Sequence, residues 1–302
     1  MNKLAVTARS LHDDIRIAAG ASRKIGFDGM VVPSRSASLD LTELGETGTR
    51  DFRHILASYD QILVAIDSSL GKAGFSLTAD VDRALARMGK VLQAAAGLGC
   101  TTVCLDLGPL PPAPVSEQPK PAITPELAGL IIIPRPEPGA SASDVNVSKR
   151  SNSEPRDAAF ESHINSAMTE LGQIADRFSI AIAARSSLAS FASLAFLLDG
   201  VQCPWFGVDL DTIHMLADEW PADAVFSTVG AQIRHVRARD AAKGAGGRVL
   251  SCDISAGSVD WPEVFTNLDA AGYKGWVTAD CAELPNSAVS SAHALRVLRQ
   301  CR

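Results

Sequence analysis

Carboxylates and an imidazole follow two apolar, strand-like runs in the second half of this chain. Residues 205–211 end in Asp211, and His214 comes three residues later. Residues 275–279 form a second run, which is followed at once by Asp280. Carboxylate oxygens and imidazole nitrogens bind divalent cations, and they also hydrogen-bond the hydroxyl groups of sugars. If the two strands end at one place, these three side chains predict a cation site or a sugar site.

A third run, residues 233–240, places charge inside a strand. His235, Arg237 and Arg239 alternate with apolar residues and therefore share one face of that strand, and Asp240 ends the run. His235 is either a site residue or a histidine of the core. A guanidinium is always protonated and has no lone pair, so Arg237 cannot bind a metal ion, although it can bind the oxygens of a substrate.

Strand-like runs alternate with helical patterns along the chain, which is typical of a parallel sheet covered by helices. Apolar residues recur at helical spacing in residues 80–98, 157–178 and 288–300. Eight repeats of strand and helix favour a closed (β/α)8 TIM barrel, in which the carboxyl ends of all strands share one mouth. The predicted strands are residues 4–8, 29–32, 62–66, 101–107, 179–184, 205–211, 233–240 and 275–279.

A capped helix is predicted between the last two of these strands. Asp260 can accept a hydrogen bond from the first turn, and Glu263 stands where it can bond back to the cap. Pro262 lies in the first turn, where its missing N–H costs little, and Gly272 ends the helix.

Length and composition limit the class of protein. The 302 residues, 46% of them hydrophobic, are sufficient for one large domain, 1–302. A net charge of −6 argues against nucleic-acid binding, which needs clustered Lys and Arg. The chain has neither an apolar run of membrane-spanning length nor a secretory leader, which predicts a cytoplasmic protein without a membrane partner. The six cysteines are scattered and contain no CxxC pair, so we expect free thiols.

Residues 111–155 interrupt the alternation. They are rich in Pro, Ala, Ser and Glu, a composition that buries little surface. We predict an inserted loop after the fourth strand, at the mouth of the barrel. The loop either covers the substrate or has no role there. Inside it, residues 127–134 (LAGLIIIP) predict a short additional strand or a segment packed on the barrel edge.

Several motifs together resemble the xylose-isomerase-like TIM barrels, the sugar phosphate isomerase/epimerase superfamily. HVRARDA, GSVDWPEVF and LDAAGYKGW are similar to its last two strands and the helix between them, and FGVDLDTIH is similar to its sixth strand. LAVTARSL, IGFDGMVV and AAGLGCTTVCLDLG fit its first, second and fourth strands. The resemblance covers most of the chain outside the insertion.

The resemblance implies a divalent metal (Mn, Zn or Mg) held by Glu, Asp, His and Glu at the ends of strands five to eight, with two carboxylates moving a proton. It implies that Asp211 and Asp280 are the catalytic and metal-binding carboxylates, with His214 beside them. The fifth strand, SIAIAARSS, has no carboxylate; Ala183, Ala184 or Arg185 takes that place, depending on register.

Arg237 falls where the family has its ligand histidine, and Asp280 is one methylene shorter than the family glutamate. We therefore predict that Arg237 replaces the metal by an internal ion pair with Asp211 or Asp280. Proton abstraction beside a carbonyl would then lack one of its two carboxylates.

We interpret the chain as a sugar or sugar-phosphate isomerase/epimerase-like barrel with weakened or lost metal chemistry and no bound cofactor. The alternative is a catalytically inactive barrel that binds a sugar-like ligand or a protein partner. A bound divalent metal (Mn, Zn or Mg) is expected only if the metal site that the resemblance implies is intact. The partner of the first interpretation is a sugar-like small molecule. Its predicted substrate-binding residues are His214, His235, Arg237, Arg185 and, after the third strand, Lys72, which is otherwise a solvated lysine.

Overall fold

Eight short apolar strands lie side by side in parallel and close into a barrel in a computed structural model that describes residues 2–114, 157–218, 222–243 and 249–302. Strands β2 and β6 are buried at every residue, as expected when helices cover a parallel sheet whose interior is also filled. The barrel strands are β1 (Lys3–Thr7), β2 (Gly29–Pro33), β3 (Ile62–Ser69), β4 (Thr102–Asp106), β5 (Ala181–Arg185), β6 (Phe206–Asp211), β7 (Ile233–Ala238) and β10 (Trp276–Ala279). The predicted (β/α)8 TIM barrel is confirmed.

Helices connect successive strands and pack outside the barrel. They are α1 (Ile15–Ile25), α2 (Glu46–Ser58), α3 (Val81–Leu98), α4 (Ala158–Phe178), α5 (Phe191–Val201), α6 (Thr212–Ala217), α7 (Ala222–Val229), α8 (Trp261–Ala270) and α9 (Ser287–Cys301). Short 3-10 turns occupy Ala8–Ser10, Leu41–Glu43 and Gly230–Gln232. No helix of the described residues has the length and apolarity needed to cross a bilayer.

Aspartate side chains begin several of these helices. The predicted cap of α8 is present, because Asp260 accepts a hydrogen bond from the Glu263 backbone N–H (3.0 Å). Asp80 and Asp157 cap α3 and α4 in the same way, where a negative charge also favours the helix dipole. Each cap satisfies backbone N–H groups of the first helical turn and thereby fixes where the helix begins.

Two layers of apolar side chains fill the fold. The larger lies between the sheet and the helices and includes Trp261, Val264 and Leu268 of α8, as the helical spacing predicts. The smaller holds Ala5, Val31, Val64, Ala65, Cys104 and Ala183, which all come from barrel strands, so it fills the barrel interior with small residues. All six cysteines are free, as predicted.

An antiparallel hairpin after β7 was not predicted. It consists of β8 (Asp240–Lys243) and β9 (Val249–Cys252), and Asp240 therefore begins this hairpin instead of ending β7. The signal in the sequence was two short runs on either side of a glycine-rich stretch, which is typical of a hairpin. The predicted insertion falls almost entirely on residues 115–156, which lie outside the described residues, as does the additional strand predicted for 127–134.

Candidate functional site

A polar cavity of about 610 Å³ opens at the carboxyl ends of the barrel strands. This volume lies within the range of about 300–1,000 Å³ that is common for small-molecule sites. Among the described residues its lining has no Phe, Tyr or Trp, and its apolar members are Val31, Pro33 and Ala282. Its charged members are Arg9, Asp13, Asp67, Asp106, Arg185, Asp211, Arg237, Arg239, Asp280 and Glu283.

Arg237 lies at the centre of the cavity floor, with only 4% of its side chain exposed. Its Nη1 donates to Oδ2 of Asp280 (2.6 Å), and its Nη2 donates to Oδ1 of Asp67 (2.8 Å). Nε and Nη2 also face Oδ2 of Asp209, at 3.4 and 3.3 Å. The ion pair predicted with Asp280 is present, and it is shared with two further carboxylates. Burial disfavours the charged form of Arg237, but the three carboxylates outweigh the effect of burial and raise the pKa of Arg237.

Arg185 answers the question of register at the end of β5. It is the last residue of that strand, and its guanidinium points into the mouth beside Arg237. Nη1 lies 2.8 Å from Oδ2 of Asp209, and Nη2 lies 2.9 Å from Oδ1 of Asp67. A cation therefore stands at the strand end where the resemblance implies a glutamate.

Asp67 and Asp209 hold the two guanidiniums together. Like charges would repel at this distance in a buried site, but each carboxylate bridges both arginines. Burial raises the pKa of Asp209, yet Arg237, His235 and Arg185 outweigh this effect and hold it well below its ordinary value. The pKa of Asp67 is lowered, against its burial, by Arg185 and Arg237. Both carboxylates are thus ionised partners of the cations.

His235 lies beneath the cavity floor and does not line it. Its Nδ1 is 2.6 Å from Oδ1 of Asp209, and its Nε2 is 2.7 Å from Oγ1 of Thr278 on β10. These three side chains are almost wholly buried. Of the two interpretations left open by the sequence, this geometry is that of a core histidine, because both ring nitrogens are occupied and a protein layer separates them from the cavity.

Asp280 follows β10 and reaches the mouth between two partners. Its Oδ1 accepts from Oγ1 of Thr7 (3.0 Å), while Oδ2 accepts from Arg237. Burial opposes ionisation, but the charge of Arg237 and its hydrogen bond lower the pKa of Asp280 to about 2. A carboxylate with so low a pKa is ionised at neutral pH and is a weak general base.

Asp211 does not pair with Arg237, although the two residues are opposite each other in the β6–β7 register. Oδ1 of Asp211 instead caps α6 by accepting from the Ile213 backbone N–H (3.1 Å). Its Oδ2 accepts from Nη1 of Arg239 (3.1 Å), whose Nη2 lies 2.5 Å from Oε2 of Glu283. Asp211 therefore belongs to a second ion-pair group at the side of the cavity.

The remaining predicted residues are divided between the cavity and the surface. His214, on α6, lines the cavity and is partly exposed. Lys72 is exposed in the loop after β3 and is not among the residues that line the cavity. Asp240, which the strand pattern placed at the rim, is buried elsewhere: its two carboxylate oxygens accept from the backbone N–H groups of Ala241 (2.8 Å) and Ser255 (2.9 Å). It organises the loop before α8, and the expectation of a rim carboxylate there is wrong.

Three residues of the site were not recognised from sequence. Asp67 directly follows the predicted third strand, residues 62–66, and it contacts Arg185, Arg237 and Arg9. Thr7 and Arg9 come at the end of β1, where the run LAVTARS turns polar. That change from apolar to polar at a strand end was the available signal, since the same rule identified Asp280.

The four positions at which the resemblance implies metal ligands now hold Arg185, Asp211, Arg237 and Asp280. Two of these four groups are guanidiniums, which have no lone pair to share with a cation. A divalent ion between Asp211 and Asp280 would need both carboxylates to leave their arginine partners. The positive charge of Arg237 occupies the place of the implied histidine ligand.

A different trio could contribute metal ligands beneath the floor. One ligand atom each from Cys104, Asp209 and His235 lies within 4.8 Å of the others, and all three residues are buried. Burial and the neighbouring Asp209 raise the pKa of Cys104 well above its ordinary value, so its thiol keeps the proton that a metal would have to displace. Asp209 is also bonded to both arginines, which cover the trio from the mouth.

A model of the protein family described as xylose isomerase-like TIM barrel matches residues 19–301 of this chain. No curated protein matches its sequence significantly. The agreement extends over nearly every barrel strand and the helices around it.

Several solved structures share the fold over the full length of both chains. The D-allulose 3-epimerase from Methylomonas sp. is 16% identical, with a TM-score of 0.69 over 100% of this chain and 98% of that chain. The probable 3-DHS dehydratase AsbF from Bacillus anthracis is 12% identical, with a TM-score of 0.70 over 98% of each chain. The IOLI protein with a bound zinc atom is 11% identical, with a TM-score of 0.67 over 99% of this chain and 96% of that chain. At these identities the likeness establishes the fold alone.

Proposed function

This chain belongs to the xylose isomerase-like TIM barrel family, and on that premise we propose that it is a sugar isomerase/epimerase-like barrel protein. In this proposal the protein binds a sugar-like ligand, and its divalent-metal chemistry is weakened or lost. One observation carries the proposal: the buried guanidinium of Arg237 stands where the family has a metal-binding histidine and is bonded to Asp280, Asp67 and Asp209. We further propose that the protein is a single domain, 1–302, that works in the cytoplasm without a bound metal.

The free energy of the ion-pair group supports this proposal. A divalent ion would have to enter beside two fixed guanidiniums, which repel it, and would have to separate Asp280 from Arg237. Breaking a buried ion pair costs about 3–5 kcal/mol, because it leaves a charge without its partner in a medium of low polarity. Binding of the ion would have to offset that cost with two carboxylates instead of four ligands.

In this proposal the mouth recognises a ligand by hydrogen bonds. Asp280 and Asp211 accept hydrogen bonds from ligand hydroxyl groups, Arg185 donates to the ligand oxygens, and the imidazole of His214 can donate or accept. Arg237 contributes by fixing Asp280, since its own N–H groups are directed at carboxylates. His235 supports the floor from below, and Lys72 remains a proposed contact only for a ligand that extends to the rim.

The second candidate is a catalytically inactive barrel that binds a sugar-like ligand or a protein partner. Two features favour it over weakened catalysis: Arg185 replaces the carboxylate at the fifth strand, and the pKa of Asp280, lowered to about 2, makes it a poor proton acceptor. Proton transfer between two faces of a substrate needs two bases of suitable pKa. Asp211 is the other carboxylate of the mouth, and it is bonded to Arg239 and to the α6 backbone.

Calorimetric titration with Mn²⁺ and Zn²⁺ tests the loss of metal chemistry. We expect no binding by the wild-type protein and measurable binding by the double variant R185E/R237H, which restores the two implied ligands. R185Q/R237Q is the matched control, because it removes both guanidiniums without adding a ligand. Sub-micromolar binding of one Mn²⁺ or Zn²⁺ by the wild-type protein would overturn the proposal.

Turnover is measured separately from binding. Ketohexoses and aldohexoses are incubated in D₂O with each protein, and deuterium incorporation at the carbon beside the carbonyl is followed by NMR. Exchange catalysed by wild-type protein in the presence of EDTA favours a metal-independent enzyme over the inactive barrel. Ligand-induced shifts without exchange favour the inactive, sugar-binding alternative.

A further inference from the structure

A groove of about 900 Å³ lies on the outside of the barrel between α2 and α3, and it shares no residue with the cavity at the mouth. The α2 wall includes residues that share one face of that helix at helical spacing: Arg50, Arg53 and Ala57. The α3 wall includes residues that share one face of α3 in the same way: Lys90, Ala94 and Gly97. Two helix faces therefore form the sides of the groove.

Apolar side chains form the floor of this groove, and one end of it is open. Leu41 and Leu44 come from the short turn before α2 and line the groove between the two helices. Near the carboxyl end of α3, a Cβ placed on Gly97 would meet no atom within 4 Å outside the helix backbone. The α2 wall extends from Glu46 to Ala57, which is about 16 Å at the helical rise per residue. This length suits three turns of an added helix, since the axes of packed helices lie about 8–10 Å apart.

The walls of the groove carry positive charge, although the chain as a whole has a net charge of −6. The cations are Arg50, Arg53 and Lys90, and the carboxylate of the described lining is Glu46. The guanidiniums of Arg50 and Arg53 form no ion pair within the part of the chain that the structure describes. Lys90 lies 3.5 Å from Glu43, with the two side chains 63% and 69% exposed, and such surface pairs contribute little. The cations are therefore available to carboxylates from outside the chain.

Two other kinds of occupant fit the groove less well. A second copy of the chain, related by a two-fold axis through the groove, would place the same cations opposite each other. A nucleic acid backbone would need a larger basic cluster than these few cations on an acidic chain. An apolar floor between two helical walls is the arrangement that receives the apolar face of an amphipathic helix.

We propose that this groove docks an amphipathic helix of a protein partner, with acidic residues on either side of its apolar stripe. The apolar stripe covers Leu41 and Leu44, and the acidic side chains pair with Arg50, Arg53 and Lys90. This inference concerns the outer surface of the barrel and does not depend on the sugar-binding function proposed for the mouth.

Fluorescence anisotropy with two labelled synthetic peptides tests the inference. Both are about 15 residues long, the length at which isolated helices become marginally stable in water, and both have Leu at the same positions of one helical face. One peptide carries Glu beside the leucines, and the other carries Lys. We expect the Glu peptide to bind about tenfold or more tightly than the Lys peptide. This preference should decrease at high ionic strength, because salt screens exposed charges.

Two pairs of variants locate the binding. G97F should weaken binding of the Glu peptide about fivefold or more, because the new ring fills the groove. G200F is its matched control, since it makes the same change in the last turn of α5, where a Cβ also meets open space. R50E/R53E should abolish the preference for the Glu peptide. R16E/R296E, at exposed arginines of α1 and α9, should preserve it.

Equal affinity for the two peptides, no binding of either, or equal effects of G97F and G200F would overturn the inference and leave the function of the mouth standing. Sedimentation and thermal unfolding of the same two variants identify the other occupants. A smaller sedimentation coefficient in G97F alone would assign the groove to a second copy of the chain. A loss of thermal stability in G97F alone would assign it to a segment of the same chain. Either result would overturn the inference of a helix from another protein.

Discussion

Nη1 of Arg237 lies 2.6 Å from Oδ2 of Asp280, and this contact joins β7 to the end of β10 at the centre of the barrel mouth. The two residues replace a histidine and a glutamate that the family resemblance implies as metal ligands. At these two positions an arginine and a shorter acid form an ion pair, in which each side chain neutralises the charge of the other. The chemistry of the mouth therefore depends on an internal cation.

Removing that cation should destabilise the protein. We expect R237M to lower the free energy of unfolding by about 3–5 kcal/mol, because Asp67, Asp209 and Asp280 would be left close together without their shared partner. Urea denaturation followed by tryptophan fluorescence measures the change. R23M is the control: Arg23 pairs with Asp60 on the surface, at 59% and 71% exposure, and its loss should cost less than about 1 kcal/mol. Equal effects of the two substitutions would contradict the central place of Arg237.

The free energy of unfolding should decrease in acid, over a pH range set by the carboxylates that pair with Arg237. The folded-state pKa of Asp280, lowered to about 2 from an ordinary 3.8, means that its contribution is present above pH 4 and is lost as the pH falls towards 2. By linkage, this contribution amounts to about 2 kcal/mol. The pKa values of Asp67 and Asp209 are also lowered, so they add to the same trend. Urea midpoints measured between pH 5 and pH 2 should decrease steadily, and D280N should show a shallower slope. An unchanged slope in D280N would contradict the assignment.

His235 should stabilise the fold through its two hydrogen bonds. Replacing it by phenylalanine leaves Oδ1 of Asp209 and the hydroxyl of Thr278 without a partner in the core, which should cost about 1–3 kcal/mol. T278V removes one of the same bonds. In a double-mutant cycle, H235F and T278V should be less than additive, because they share that bond. Strict additivity of the two unfolding free energies would show that the bond contributes nothing.

Asp240 should affect stability without affecting ligand binding. The oxygens of the buried Asp240 accept several hydrogen bonds, which include those from the Ser255 backbone N–H (2.9 Å) and from Nε1 of the buried Trp261 (3.2 Å). D240A should cost about 2–4 kcal/mol, since it leaves several donors unsatisfied, while the affinity for a sugar probe stays within about twofold. D253A changes an exposed aspartate of the same loop and is the control. A large loss of affinity in D240A, measured where the protein remains folded, would place Asp240 in the site after all.

Much of the fold could be read from local patterns. The strands of the barrel and the long helices α3, α4 and α9 lie within a few residues of their predicted bounds. The cap at Asp260 and the stop at Gly272, whose φ is +72°, were also predicted. These features depend on side chains a few residues apart, and a few residues of sequence are sufficient to specify them. The hairpin of β8 and β9 was missed because its runs are short and its glycine-rich connection resembles any loop.

Only part of the candidate site could be predicted from the sequence, and the physical reason is that pairing between distant residues depends on the closed barrel. Charge type and position along a strand are properties of the sequence, and they placed Asp211, Asp280 and Arg185 at the mouth and predicted that Arg237 would pair with an acid. Asp280 was one of the two acids predicted to meet Arg237, but the contact with Asp67 was not predicted, since Asp67 is 170 residues away from Arg237 and reaches it only when the barrel closes. The same closure placed His235 below the floor and turned Asp211 towards Arg239. The sequence by itself therefore determined the barrel and the kinds of charge at its rim, and the tertiary structure decided their pairing, because ion pairs depend on distances that chain closure sets.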